Sequence, residues 1–388
     1  MVSKPIYNPL DPTVLADPYP VYRKLREEYP VFWHDQMESW VVTRYRDCQE
    51  VLRNHARYAR DRRRVGIDVP EFRQNLQSLD PPQLAPLRSL LMNAFHSQDL
   101  EEVGFRTRAR VSEIFTRFLD EPEFDWISQV AAPVALTLTS ELFGIVEPDL
   151  DRYTQIADAI TRRMDAGLDP SVVLAGDQAR KELNSLADQW LDSHYAKAGL
   201  LTTIKETLEG SGVPEHYIRN TTGVMFNASY GTVFAAAGNF VYTLLNHPGT
   251  LEQFRDDEIM ARGVEELIRF DGPAQGTTRI AVKRSQLGGQ TIEAGQPIIT
   301  LLAAANRDPD EFPRPEELVL NRSPNRHLGF GWGPHACLGA RFGNVAIQEI
   351  IRCLLGTPAT LEMVDQPVRR ATATVRSMDS LPVRFTQH

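Results

Sequence analysis

One cysteine in this chain stands where a thiolate could be held. The segment Phe330-Gly-Trp-Gly-Pro-His-Ala-Cys-Leu-Gly339 is a glycine-rich turn immediately before a helical pattern. Gly331 and Gly333 permit unusual backbone angles in it. Such a turn can aim backbone N–H groups at the sulfur of Cys337, and a helix N-terminus favours its negative charge. A hydrogen-bonded thiolate is the strong electron donor that a haem iron needs as an axial ligand. Cys48 and Cys353 carry no such surroundings and read as buried structural residues.

Two rival chemistries fit less well. Gly329, Gly331 and Gly333 resemble a phosphate loop, but G-x-G-x-x-G needs glycine at 334 or 336, where Pro and Ala stand. A cysteine hydrolase would use His335 as base, but two residues from Cys337 on a tight loop it is poorly placed. Elsewhere, Glu266 and Arg269 are three apart on a helical pattern and can pair on one face, which alone would read as a surface pair.

The elements that must position these residues are mostly helices. Apolar residues recur at three- and four-residue spacing from about Asp80 to Asn246. Asp80-Pro81-Pro82 opens one helix, with Asp80 as a cap and proline in the first turn. Another surrounds Ala132–Phe143 and ends at Gly144. An amphipathic region covers Asp177–Tyr195. Asn220 to Leu251 carries no formal charge, yet Asn227, Ser229, Gly231, Thr232, Gly238 and Asn239 interrupt its apolar character. A long central helix of a soluble protein, stopping at His247-Pro248, explains it better than a membrane span. A further helix covers about Glu252–Phe270. A short helix near Val21–Glu28 precedes a β-hairpin over 31–43. Strand-like segments follow at Thr278–Val282, Thr291-Ile292, Ile298–Leu302 and Leu381–Phe385, and a last helix starts near Leu338. The reading is mainly α with a small β portion (α+β). It is one domain over 1–388, helix-rich across 80–270, with the β-containing part and the cysteine loop in 274–388.

Composition agrees with a globular enzyme. The chain has 388 residues, 42% hydrophobic and 24% charged, which excludes a disordered chain. Its net charge of −9 argues against a nucleic-acid partner. Three cysteines make no disulfide framework and fit a reducing cytoplasm. The opening ten residues have no apolar core of a secretory signal. The run Arg62, Arg63, Arg64 after Arg60 reads as a solvated loop.

Taken together these residues resemble the cytochrome P450 family. Phe330, Gly331, Gly333, His335, Cys337 and Gly339 stand where that family has its cysteine-ligand signature. Glu266 and Arg269 match its Glu-x-x-Arg pair, with Arg322 as the downstream arginine of the same lock. Asp80-Pro-Pro82, Arg88, Gly144, His247-Pro248, Arg279, Ala305-Asn-Arg-Asp-Pro309 and Leu381-Pro382 fall in the family's order, so the resemblance covers nearly the whole chain. It is to the short, soluble bacterial type. The resemblance implies one mostly α domain enclosing haem b, with Cys337 as proximal ligand. Arg88, Arg279 and His335 fall where the family holds the haem propionates, and Phe330 and Gly339 flank the ligand. One departure is Leu84, where the family often has a histidine four residues before Arg88, so propionate anchoring there is weaker or re-routed.

The resemblance also places the uncharged helix over the haem. The family's pattern there is Ala/Gly-Gly-x-acid-Thr, and this chain has Ala228-Ser229-Tyr230-Gly231-Thr232. Thr232 is present, but Gly231 stands for the acid that relays protons in dioxygen activation. Either water or a substrate hydroxyl replaces the acid and the enzyme hydroxylates, or it couples substrate phenol or indole radicals without inserting oxygen. Asn227, Tyr230, Ala274, Gln275, Arg376 and Met378 are the candidate pocket residues, with the segment near Arg60–Gln77 beside them. No flavin, nicotinamide or iron–sulfur module is present, so electrons from NAD(P)H must come through a separate ferredoxin and ferredoxin reductase. The implied protein is a cytoplasmic monomer that activates O2 and oxidises a secondary-metabolite intermediate or a short aromatic peptide. The alternative is a haem-binding protein without turnover, a sensor or a substrate-positioning scaffold.

Overall fold

A computed structural model describes residues 6–192, 198–208 and 210–387. The fold is mainly helical with a small β portion. The N-terminal helices α1 (Pro12–Ala16) and α2 (Tyr19–Glu28) lead into the hairpin β1 (Val31–His34) and β2 (Ser39–Val42). Val31 stands opposite Val42 and Trp33 opposite Trp40, so the hairpin lies where the alternation of the sequence put it. Helix α3 (Tyr45–Arg53) and the short strand β3 (Tyr58–Ala59) follow.

The helical body is α4 (Leu84–His96), α5 (Leu100–Thr116), α6 (Ala132–Phe143), α7 (Leu150–Arg163), α8 (Val173–Asp192), α9 (Leu200–Leu208), α10 (Glu215–Leu245), α11 (Thr250–Gln253) and α12 (Asp257–Asp271). β4 (Phe124–Asp125) lies between α5 and α6. Gly144, with φ of 72°, closes α6 in the left-handed conformation. α10 runs through the centre, packed on α6, α8, α12 and α14 (Ala340–Gly356). Burial on most of its faces is why it carries no charge between Asn220 and Leu245. Among the described residues no helix is long and apolar enough to cross a membrane.

The β portion is β5 (Thr277–Ala281), β6 (Ser285–Leu287), β7 (Gln290–Ile292), β8 (Pro297–Thr300), β9 (Ala359–Met363), β10 (Val368–Arg369), β11 (Met378–Ser380) and β12 (Pro382–Gln387), with α13 (Leu302–Ala305) after β8. Five strands form one sheet in the order β1-β2-β8-β5-β3. Its antiparallel β3–β5 edge pairs Ala59 with Ile280. Continued by one residue, that register sets Arg60 across from Arg279.

Three expectations shift. The helix over Glu252–Phe270 is two helices, because the Asp256 carboxylate accepts the Glu258 and Ile259 amides and starts α12 anew. Asp80 is not a side-chain cap. α4 begins at Leu84 without one, and the Asp80 carboxylate instead accepts the amides of Arg60 and Asp61. The amphipathic region of Asp177–Tyr195 is α8, whose expected last residues, 193–195, lie outside the described residues.

Candidate functional site

The cysteine loop is set by its own backbone. Gly331 N–H donates to Leu328 O at 2.8 Å, Ala336 N–H to Gly333 O at 3.0 Å and Cys337 N–H to Phe330 O at 2.8 Å. Gly333 has φ of +73°, and a Cβ there would stand 2.8 Å from the Leu52 carbonyl oxygen. Only glycine lets this turn lie so close to the end of α3. The Gly339 amide donates to the Cys337 sulfur. Cys337 lies deep in the fold, yet its residue surface is open. Burial pushes its thiol up, and the Gly339 amide and the Arg88 charge only partly offset that. The Gly339 amide acts toward the thiolate, in the direction the sequence leads one to expect, and a coordinating metal cation deprotonates its thiol outright.

Around this loop lies a surplus of positive charge. Arg88, on α4, donates from Nη2 to the Ala336 carbonyl at 2.9 Å. Arg279, on β5, is buried and donates only to neutral oxygens, the Thr278 carbonyl at 2.7 Å and the Thr277 hydroxyl at 3.4 Å. Burial, then the nearby Arg60, depress Arg279 to about 9 despite Asp80. Arg60 is brought down to about 10 by burial, with Asp80 opposing. The Asp80 carboxylate already accepts from His335 Nε2 at 3.1 Å and from Arg64 at 3.4 Å. Arg60 and Arg279 are thus two desolvated cations, side by side, without a carboxylate each. Facing like charges destabilise a sheet edge unless an anion answers them.

Arg60 only precedes the Arg62–Arg64 run in the sequence, where nothing marks it as a cation of this site. Leu84, standing where a histidine is common, was the sequence signal that another cation had to serve.

On α10, Ala228 and Thr232 are exposed and Gly231 is half-buried, although the residues around them in that helix are buried. The Thr232 hydroxyl donates to the Ala228 carbonyl at 2.7 Å, which leaves its oxygen lone pairs free to accept. A Cβ at Gly231 would meet nothing within 4 Å. Ser229 is buried. Tyr230 and Asn227 border this stretch from the packed side. The Tyr230 hydroxyl is 3.2 Å from the Thr154 hydroxyl, and Asn227 Oδ1 accepts from Tyr153 at 3.4 Å.

The remaining candidates go elsewhere. Glu266 accepts from Arg269 through two bonds of 2.8 Å and from Arg322 at 3.0 and 3.1 Å, all three buried. Arg376 is not free for a substrate. It donates to Asp271 at 2.9 Å and to the Leu15 and Ala16 carbonyls. Gln275 is likewise committed, accepting from the Tyr22 hydroxyl and donating to the Gly272 carbonyl. Met378 belongs to the hydrophobic core. Ala274 bridges Val375 through the backbone. Pairing and packing within the fold commit the side chains of Arg376, Gln275 and Met378, while that of Ala274 stays half-buried.

The residues fit iron protoporphyrin. An open cysteine with an amide donor supplies an axial thiolate, and two guanidiniums without a carboxylate each, buried Arg279 and half-buried Arg60, match two propionates. Arg60, Arg88, Arg279 and His335 are the side chains that would hold it.

Comparison with known proteins gives the same direction. The family model described as Cytochrome P450 matches residues 129–357. The chain is 30% identical over 328 residues to mycinamicin IV hydroxylase/epoxidase of Micromonospora griseorubida, covering 82% of this chain and 81% of that protein. It is 29% identical over 388 residues to cytochrome P450 monooxygenase PikC of Streptomyces venezuelae, covering 95% and 91%. The solved structure of CalO2 superposes with a TM-score of 0.87 at 26% identity, covering 98% of each chain. The glycine-rich loop of Cys337 and a family match over more than half of the chain lead to one conclusion: this protein belongs to the cytochrome P450 family.

Proposed function

We propose that this protein is a haem-thiolate monooxygenase that oxidises a secondary-metabolite intermediate, with Cys337 as the axial ligand. The observation that carries the reading is the exposed residue Cys337, its sulfur met by the Gly339 amide, in a loop whose His335 faces the cations Arg60 and Arg279. The relatives support the substrate class: one is named mycinamicin IV hydroxylase/epoxidase and another polyketide biosynthesis cytochrome P450 PksS. Haem, when bound, supplies dioxygen activation. The chain's own part is to bind it, exclude bulk water and deliver protons. Thr232 Oγ1 accepts a hydrogen bond from a water and orders it, since its own hydrogen is used on Ala228. Gly231 leaves room for that water where other members carry an acid. In this reading electrons come from NAD(P)H through a separate ferredoxin and its reductase.

Replacing Cys337 by Ser tests the ligand. The wild type should show the thiolate-type spectrum of the reduced carbonyl complex and the variant should not. An unchanged spectrum in the variant overturns the assignment.

A second reading has its own support in Gly231, which cannot hold a proton. Radical coupling of a substrate phenol or indole needs no oxygen insertion and tolerates the loss of that acid. Product mass separates the two: heavier by one oxygen for insertion, lighter by two hydrogens for coupling.

A further inference from the structure

On α12 the Glu266 carboxylate is taken by Arg269 and Arg322. Its neighbour Glu265 is half-buried and has different partners. The Glu265 carboxylate accepts from His327 Nε2 at 2.6 Å and from Asn344 Nδ2. His327 precedes Cys337 in the chain, and Asn344 follows it on α14. One carboxylate of α12 thus holds both the entrance and the exit of the cysteine loop. Burial works against that carboxylate, yet His327 and Asn344 keep it below its ordinary range. Both bonds therefore run to an anion, which makes them the stronger kind.

The imidazole is fixed in turn. His327 Nδ1 accepts the Gly329 amide at 3.1 Å, so the ring hydrogen is on Nε2 and points at Glu265. The ring is buried, and its centroid is 5.8 Å from that of Phe330. A Cβ at Gly343, the residue before Asn344, would stand 3.7 Å from Phe330 Cε1. The Phe330 ring thus lies between the two segments that Glu265 ties down. The Phe330 carbonyl accepts the Cys337 amide at 2.8 Å. A continuous path of hydrogen bonds and packing runs from Glu265 to the backbone of Cys337.

We propose that Glu265, acting through His327 and Asn344, is a positioning residue for Cys337 that keeps the sulfur where the haem iron takes it as a thiolate. This rests on the haem-thiolate reading above and deepens it. Groups that orient a metal ligand from behind matter almost as much as the ligand, and losing one typically costs about 10–100-fold in metal affinity. A thiolate held off its place donates less charge, so the ferric state loses stability against the ferrous one.

The test uses purified holoprotein carrying Glu265→Ala, Glu265→Gln or, as control, Glu316→Gln. Glu316 is a comparable half-buried carboxylate, bound to Arg23 and Arg307 instead of loop residues. The readouts are haem transfer to apomyoglobin, the midpoint potential of the iron, and hydrogen exchange of the loop amides. Glu265→Ala should speed haem transfer about tenfold or more and move the potential positive. It should also speed exchange at Gly331, Ala336 and Cys337. Glu265→Gln, which keeps only one acceptor oxygen, should fall between it and the wild type. Glu316→Gln should change none of the three, even if it lowers the melting midpoint as much. In a His327→Ala, Asn344→Ala background, Glu265→Ala should add little, since its path is already cut. An unchanged potential in Glu265→Ala, or an equal shift in Glu316→Gln, overturns the proposal. So does a full-sized further effect in the double-variant background. If Glu265→Ala takes up no haem, Glu265→Gln carries the same comparison. Failure of the haem-thiolate reading would show separately, as an absent thiolate-type carbonyl spectrum in the wild type, and hydrogen exchange would still read the hold on the loop.

Discussion

His335 and Asp80, 255 residues apart, share a hydrogen bond of 3.1 Å between imidazole Nε2 and carboxylate Oδ1. It ties the segment before α4 to the cysteine loop. Burial, then Arg60 and Arg279, push the imidazole down to about 4 although Asp80 pulls the other way. Burial works against the Asp80 carboxylate too, but the His335 bond and the Asp61 and Arg60 amides hold it at about 2. Near neutrality the pair is a neutral donor on an anion, and Arg60 and Arg279 keep their surplus charge.

Arg60 should therefore matter for haem retention. Arg60→Gln removes one charge-assisted contact to a propionate, worth about 1.5–3 kcal/mol. Haem transfer to an excess of apomyoglobin should speed up by roughly tenfold or more. The haem-free protein should not lose stability, since a desolvated cation leaves. An unchanged transfer rate would remove Arg60 from the site.

Gly333→Ala should damage the cysteine loop selectively. It forces an L side chain into φ of +73° and sets a Cβ 2.8 Å from Leu52 O. The left-handed conformation alone costs about 1–2 kcal/mol. The haem-loaded fraction and the thiolate-type carbonyl signal should both fall. Gly356→Ala is the control, because its Cβ meets nothing within 4 Å. Equal loading of both variants would refute the clamp.

Asp271 carries a pH dependence. It is buried against Arg376 at 2.9 Å and Arg369 at 3.8 Å. Burial raises its carboxyl, but Arg376, Arg369 and the Tyr19 hydroxyl together bring it below the ordinary 3.8. A carboxyl depressed in the folded state contributes stability above its unfolded value and loses it as pH falls through the folded one. Asp271→Asn should cost about 3–5 kcal/mol at pH 7, the range for a broken buried pair. Urea denaturation of both proteins should show that gap closing below about pH 4. A gap independent of pH would mean that packing, not charge, is what the variant removes.

Gly231→Asp restores an acid where space exists for it. Helix propensity favours the change by a few tenths of a kcal/mol, about, so stability should not fall. If oxygen insertion is the native reaction, reduced cofactor should be spent more efficiently on product, by several-fold. If coupling is native, isotope-labelled dioxygen should begin to appear in the product of the variant only. Wild-type and variant reactions with identical products and identical efficiency would show that position 231 lies outside the proton path.

Much of this protein is written locally. The Cys337 loop is legible because its glycines, turn bonds and helix start lie within ten residues. The hairpin of 31–43, the end of α6 at Gly144 and the uncharged α10 follow from period, caps and composition, which need no distant partner. The helix break at Asp256 was local too, but one capping carboxylate among several acids gives no period to read.

The charges are another matter. Arg60 and Arg376 are the same residue type in unremarkable stretches of sequence. The β3–β5 register sets Arg60 against Arg279, while Asp271 satisfies Arg376. Which cation faces the cysteine loop and which one braces the core depends on the carboxylates the fold brings within a few ångströms. Coulomb energies and desolvation act through space, so spacing along the chain could name the candidates, and only the tertiary structure could divide them.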